Sequence, residues 1–273
     1  MSSDYLFFTD PAPADQRLAY GADPLQFGDL RVPEGAGPFP LVIAIHGGYW
    51  RNAYDLVHLG HLCAALTAAG MATFNLEYRR VGDDGGGWPG TFQDVAAGAR
   101  WIVDHAARYN LDPERVVVIG HSAGGHLASW VGSLSSVPDG SPITAETVPL
   151  RGVVSLAGVL DLEEAWQRHL SNDAVVELLG GTLAEVPERY AAASPLALLP
   201  VTTPQVLLHG DADDLVPLVM AEVYHARATV TGSPCEVYLL PAMDHFDVID
   251  PRSPAWPTVL TAVRTLLDTP QAG

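Results

Sequence analysis

The stretch Val116-Val117-Val118-Ile119-Gly120-His121-Ser122-Ala123-Gly124-Gly125 decides how this chain is read. A β-branched run stops at Gly-x-Ser-x-Gly, and small residues then lead into a segment of helical period. A strand that turns directly into a helix with serine at the turn is a nucleophile elbow. Small residues on either side permit a sharp, strained bend that pushes the hydroxyl into the open. The N–H of Ala123, at the start of that helix, is placed to donate to a developing oxyanion. The competing reading is a structural serine in a glycine-rich turn; the strand before it and the helix after it favour chemistry at Ser122.

Outward from this point, short Val/Ile/Leu-rich runs alternate with longer amphipathic segments. The strand candidates are Leu41–Ile45, Ala72–Leu76, Val116–Ile119, Val153–Leu156, Gln205–Leu208 and Glu236–Leu240. Helical period marks Leu56–Ala69, Thr91–Tyr109, Gly124–Ser133, Leu218–Thr229 and Ala255–Asp268. Continuous apolar strands are buried on both faces, as in a parallel sheet covered by helices. The alternation therefore predicts a doubly wound, mostly parallel α/β sheet. With no repeat or linker to divide it, the chain reads as one domain over 1–273. Such sheets carry their chemistry at the carboxyl ends of the strands. Residues 161–200 are too long for a simple connection, hold helical pieces at Leu162–His169 and Asp173–Leu179, and are expected to form a small cap. Ser135–Pro149, rich in Pro, Ser and Thr, reads as a surface loop.

Three other strand ends carry reactive or shaping residues. After Leu41–Ile45 comes His46-Gly47-Gly48-Tyr49-Trp50, whose consecutive glycines let backbone N–H groups turn inward toward negative charge. Gly48 and Tyr49 are assigned as oxyanion donors beside Ala123, and His46 is read as ordering the loop rather than as a base. After Gln205–Leu208 comes His209-Gly210-Asp211-Ala212-Asp213-Asp214, with three acids in four positions. A serine nucleophile needs one carboxylate to hold its imidazole in the right tautomer. Asp213 is central in the turn, while Asp211 and Asp214 stay open as alternatives that could instead cap or face solvent. After the last strand comes His245, which follows both serine and acid in chain order; His225 does so too but falls on a helical stretch, where a surface or core role suits it better. His121, Trp50 and Trp88 are candidates for the substrate pocket, Trp88 because Gly85-Gly86-Gly87 would deliver it to the mouth.

Composition excludes rival chemistries. The chain has 273 residues with 14 basic and 32 acidic side chains, a net charge of −18. Every basic residue is arginine, so no Schiff-base lysine, phosphate-loop lysine or Ser–Lys dyad is available. A surface this acidic repels nucleic acid and anionic membranes. No HExxH or CxxC occurs, and neither a metal nor another cofactor is expected. Cys63 and Cys235 are read as free buried thiols. The first basic residue is Arg17 and no long apolar segment precedes it, so no signal peptide is expected and a soluble cytoplasmic protein is the default. Oligomeric state leaves no mark in the sequence.

These motifs together resemble the α/β-hydrolase superfamily from about Leu25 to Leu267. His46–Trp50 with Gly120–His126 is similar to kynurenine formamidases (arylformamidases) and to bacterial acetyl/feruloyl-type carboxylesterases. The resemblance implies a Ser122–His245–Asp213 triad working through an acyl-enzyme, and its HGxxDxxVP acid loop favours Asp213 over its neighbours. It implies a carboxylesterase for small acyl esters, with an arylformamidase as the alternative and a non-catalytic binding relative as the rival from another class. Glu77-Tyr78-Arg79 stands where relatives carry an acidic-Tyr-Arg triplet and is read as structural.

Overall fold

The computed structural model describes residues 5–269. The strands are β1 (Gln16–Ala19), β2 (Phe27–Arg31), β3 (Phe39–Ile45), β4 (Ala72–Leu76), β5 (Leu111–His121), β6 (Gly152–Leu156), β7 (Gln205–Gly210) and β8 (Cys235–Leu240). They form one sheet in the order β1-β2-β4-β3-β5-β6-β7-β8. Pairing is antiparallel from β1 to β4 and parallel from there on. The helices are α1 (Tyr5–Phe8), α2 (Gly60–Ala68), α3 (Gly90–Asp104), α4 (Ala123–Val131), α5 (Leu162–Gln167), α6 (Ala174–Leu179), α7 (Pro187–Ala193), α8 (Val219–Thr231) and α9 (Trp256–Asp268). This is an α/β-hydrolase fold. Among the described residues no helix is long and apolar enough to cross a membrane.

Alternation along the central strands sends side chains to two separate cores. Leu41, Ile43 and Ile45 of β3, with Val116 and Val118 of β5, face the layer of α3 and α4. Val42, Ala44, Val117 and Ile119 face α2 and α9, whose Leu62, Leu66, Val259 and Val263 cover them. All these side chains are fully buried, and each valine, leucine and isoleucine among them contributes roughly 1.5–3 kcal/mol of hydrophobic stabilisation. Central strands must therefore be apolar on both sides, which is the property that made them legible.

The two strands that the pattern did not predict, β1 and β2, are held differently. Arg17 and Asp29 are register partners across the antiparallel pair, and the guanidinium donates to both carboxylate oxygens at 2.7 and 2.9 Å. An edge strand reading Gln-Arg-Leu-Ala carries no apolar run, because one of its faces meets water. The helices α1 and α7 were likewise not predicted.

Residues 161–200 form α5, α6 and α7. Leu162, Ala165, Val175, Leu178, Tyr190 and Ala193 enter the same apolar layer as α3 and α4, and Asp161 caps α5 by accepting from the N–H groups of Glu163 and Glu164.

Candidate active site

Parallel strands end together, and β3, β5, β7 and β8 deliver their following residues to one edge. Ser122 follows β5 directly and has φ 56 and ψ −120, a left-handed conformation that costs a non-glycine residue about 1–3 kcal/mol. Its surroundings hold it there. The Ser122 N–H donates to Leu156 O at 2.8 Å, and its carbonyl accepts from His126 N at 3.1 Å. A Cβ on Gly120 would strike the carbonyl of Gly124, and one on Gly124 would strike the carbonyl of Ile45. These two glycines let β5, α4 and β3 approach within backbone contact.

The loop after β3 lies directly over the elbow. A Cβ on Gly47 would stand 2.7 Å from the His121 carbonyl and 2.9 Å from Ser122 Cβ. The chain then runs left-handed through Gly48 (φ 107), Tyr49 (φ 49) and Trp50 (φ 59). The N–H groups of Gly48, Tyr49 and Ala123 have no acceptor among the described residues. Tyr49 also spans to the acid loop, its hydroxyl donating to Leu215 O at 2.7 Å.

The triplet after β4 buttresses this loop from below. His46 lies with Nε2 2.9 Å from Glu77 Oε1 and Nδ1 2.8 Å from Gly47 O. Both ring nitrogens are thus engaged inside the protein, and His46 is absent from the wall of the cavity that Ser122 lines. Tyr78 stacks on the His46 ring with centroids 4.5 Å apart and donates to the His46 carbonyl at 2.9 Å. Burial works to raise the Glu77 pKa, but His46, Arg80 and the Tyr78 N–H outweigh it and hold the carboxyl below its ordinary value. Arg79 forks onto Asp94 of α3 at 2.7 and 2.6 Å.

His245, after β8, donates from Nδ1 to Asp213 Oδ2 at 2.7 Å. Asp213 has no side-chain exposure. Its other oxygen, Oδ1, accepts from Leu215 N at 2.9 Å and Val216 N at 2.8 Å. A second imidazole, His209, lies 3.2 Å from Oδ2 while donating to Val216 O at 2.9 Å. Burial alone would raise the Asp213 pKa, yet hydrogen bonds from His209 and His245, the charge of His245 and the Val216 N–H hold it well below the carboxylate range. Asp211 does something else: its Oδ1 accepts from Ala242 N at 2.6 Å and ties the β7 loop to the β8 loop.

Ser122 and His245 share the wall of a cavity of about 310 Å³, lined also by Gly48, Tyr49, His121 and Leu215. Ser122 Oγ and His245 Nε2 make no hydrogen bond to each other or to any other described residue, an arrangement common before substrate draws such groups together. His121 donates from Nε2 to the His245 carbonyl at 2.9 Å and so ties the imidazole's backbone to the elbow.

Two pocket assignments need correction. Trp50 and Trp88 are absent from the cavity wall. Trp50 is 1% exposed and donates from Nε1 to His126 Nδ1 at 3.1 Å; its left-handed backbone turns the ring inward. Trp88 packs edge-on against Phe92 of α3, under the guanidinium of Arg189. No residue of 161–200 lines the cavity either. Its remaining walls are Phe7, Tyr54, His58 and Phe246, none of which the sequence motifs singled out. Of these, only Phe246 had a signal, its position directly after His245. Among the described residues no three His, Cys, Asp or Glu side chains gather into a metal-binding group. Cys63 is a free buried thiol, and Cys235 is free but only half-buried, contrary to the expectation of burial.

Comparison with known proteins bears on this geometry. A family model described as BD-FAE matches residues 29–227. Esterase LipC of Mycobacterium tuberculosis is 26% identical over 250 residues, covering 86% of this chain and 60% of that protein. The chain spans only 51–60% of the length of the first curated relatives it matches. Among solved structures, a truncated carbohydrate esterase from gut microbiota superposes with a TM-score of 0.81 at 22% identity, over 96% of this chain and all of that one. Thermogutta terrifontis esterase 2 phosphonylated by sarin superposes with a TM-score of 0.71 at 21% identity, over 92% of this chain and 93% of that one.

Proposed function

The chain belongs to the BD-FAE family, and on that footing we propose that it is a serine hydrolase of small, uncharged carboxylic esters. The observation that carries this reading is the pair His245–Asp213 at 2.7 Å on the wall of the cavity into which the strained Ser122 opens. Ser122 attacks the ester carbonyl as His245 Nε2 takes its proton, and Asp213 keeps the other imidazole proton on Nδ1. The N–H groups of Gly48, Tyr49 and Ala123 receive the oxyanion. The imidazolium returns its proton to the departing alcohol, leaving an acyl-Ser122. His245 then activates water, which releases the acid. The esterase names of the curated relatives and the phosphonylated state of one structural neighbour support the same chemistry.

The cavity supports an uncharged substrate. No arginine lines it. Its two additional imidazoles are neutral: burial, with the neighbouring His46, pulls His58 down to about 3, and burial with His245 and His58 pulls His121 well below its ordinary value. A net charge of −18 further disfavours anions at long range.

The test is turnover of acetyl, butyryl and carboxylate-bearing aryl esters beside an N-formyl aryl amide. The proposal expects the neutral short esters to lead and Ser122→Ala to lose on the order of 10⁶ in kcat. Preference for the formamide would move the activity to the arylformamidase alternative. Retention of activity in Ser122→Ala would remove the mechanism.

A further inference from the structure

The N-terminal helix α1 contributes a residue to the cavity that no motif marks. Its side chains divide three ways. Tyr5 and Leu6 anchor it: the Tyr5 hydroxyl donates to Asp250 at 2.6 Å, the Arg252 guanidinium lies over the Tyr5 ring, and Leu6 is fully buried with α2 and α9. Phe8 points to solvent, 83% exposed. Phe7 faces the cavity, stacked on His58 with centroids 5.7 Å apart and edge-on to Phe246 at 5.1 Å. Phe246 in turn meets the ring of His245 edge-on at 5.2 Å.

Beyond Phe7 lies a second cavity of about 480 Å³, lined by Asn52, Asp55 and Arg80 among others. Phe7, Tyr54 and His58 belong to the walls of both cavities. Tyr54 and His58 are fixed by the segment that follows the glycine loop, with His58 buried. Phe7 is the member of the partition contributed by a separate piece of chain, and it is 42% exposed.

We infer that Phe7 is a specificity-determining residue: its ring closes the reaction cavity off from the polar cavity behind it and thereby sets the largest ester arm that can lie along His58 and His245. The inference deepens the esterase reading and rests on it. An arm that fits 310 Å³ is admitted; a bulkier one collides with an aromatic wall whose anchors, Tyr5 and Leu6, do not line the reaction cavity. Losing the ring merges the two spaces without touching Ser122, His245 or the glycine loop.

The experiment measures kcat and KM for Phe7→Ala, Phe7→Leu and Phe8→Ala on two ester series, one lengthening the acyl arm and one the alcohol arm. One methylene more or less against an apolar pocket wall changes discrimination by about 10–200-fold. Phe7→Ala is expected to raise kcat/KM for the bulkiest member of one series, relative to its smallest, by about tenfold or more, mainly through KM. Phe7→Leu should fall between, and Phe8→Ala should match wild type. Unchanged ratios in Phe7→Ala, a parallel rise in both series, or the same shift in Phe8→Ala would overturn the assignment. Calorimetric binding of alkyl aryl ketones, which do not turn over, reads the same size limit. Tighter binding of the bulkiest ketone to Phe7→Ala would uphold Phe7 as the wall even if esters proved to be the wrong substrates, and unchanged binding would refute it independently of turnover.

Discussion

Replacing Asp213 by asparagine keeps the shape of the site while reversing the direction of one hydrogen bond. The surroundings determine how the new amide sits. Oδ1 of Asp213 accepts from Leu215 N at 2.9 Å and Val216 N at 2.8 Å. Turning the amide nitrogen toward those groups would leave two donors unpaired at about 1–3 kcal/mol each, so the asparagine carbonyl stays on them. Its NH₂ must then face His245 Nδ1, which stands 2.7 Å from Oδ2 in the native site. Donation into Nδ1 forces the imidazole proton onto Nε2, the atom that the proposed mechanism needs free to take the proton of Ser122. A wrong tautomer of this kind costs about 10⁴ in kcat, or about 5.5 kcal/mol in the barrier. Stopped assays on p-nitrophenyl acetate read this range directly, with circular dichroism confirming the fold. Asp211→Asn serves as the comparison: its Oδ1 accepts from Ala242 N, a bond the asparagine carbonyl retains, so its activity should stay within a few-fold of wild type. A folded Asp213→Asn enzyme within tenfold of wild type, or the large loss appearing at Asp211, would refute the tautomer argument.

Three further outcomes are expected. Gly47→Ala drives a Cβ to 2.7 Å from the His121 carbonyl and 2.9 Å from Ser122 Cβ; displacing the oxyanion loop by even 1 Å costs about 10²-fold, so kcat should fall that far with KM little changed, and a normal kcat would contradict the close approach. Arg79→Ala takes the guanidinium from the buried Asp94 carboxylate and leaves it only the Gln26 amide and the N–H of position 79 as donors; breaking such a pair costs up to about 3–5 kcal/mol and should appear as a lower melting temperature, and a shift below 1 °C would show that the fork carries no stability. Burial lowers His58 to about 3 and His126 to about 4. Because the unfolded chain takes up those protons near 6.5 while the folded chain does not, their contribution to stability is complete above pH 6.5 and is lost as pH falls toward 4. The melting temperature should therefore decline through that window, and a flat profile down to pH 4 would contradict buried neutral imidazoles.

What could be read from sequence follows from how each part is stabilised. The central strands had to be apolar on both faces, so Leu41–Ile45 of β3 and Val116–Ile119 of β5 stood out as continuous runs. The elbow needed Gly120 and Gly124 for backbone clearance, and those glycines framed Ser122. By contrast, β1 and β2 are stabilised by Arg17 and Asp29 across an edge, an arrangement that leaves no apolar periodicity. The helix α1 spans only Tyr5–Phe8 and is held by tertiary anchors from Asp250 and Arg252, 245 residues away for Asp250. Trp50 and Trp88 show a different limit. Aromatic residues beside glycines suggested a pocket mouth, but a positive φ at Trp50 and the packing of Trp88 on α3 point both rings elsewhere. Sequence adjacency locates a loop without giving the direction of its side chains. For the same reason the cavity wall, drawn from Phe7, Tyr54, His58, Leu215 and Phe246, comes from segments far apart in the chain.

The central claim is that Ser122 is a nucleophile activated by His245 and Asp213. Treating the folded protein with an alkyl fluorophosphonate and mapping the product by peptide mass spectrometry tests it most directly. The account predicts one stoichiometric adduct on the peptide carrying Ser122, absent in Ser122→Ala and formed far more slowly in Asp213→Asn. No adduct on the folded wild-type chain, or an adduct on a different residue, would contradict it.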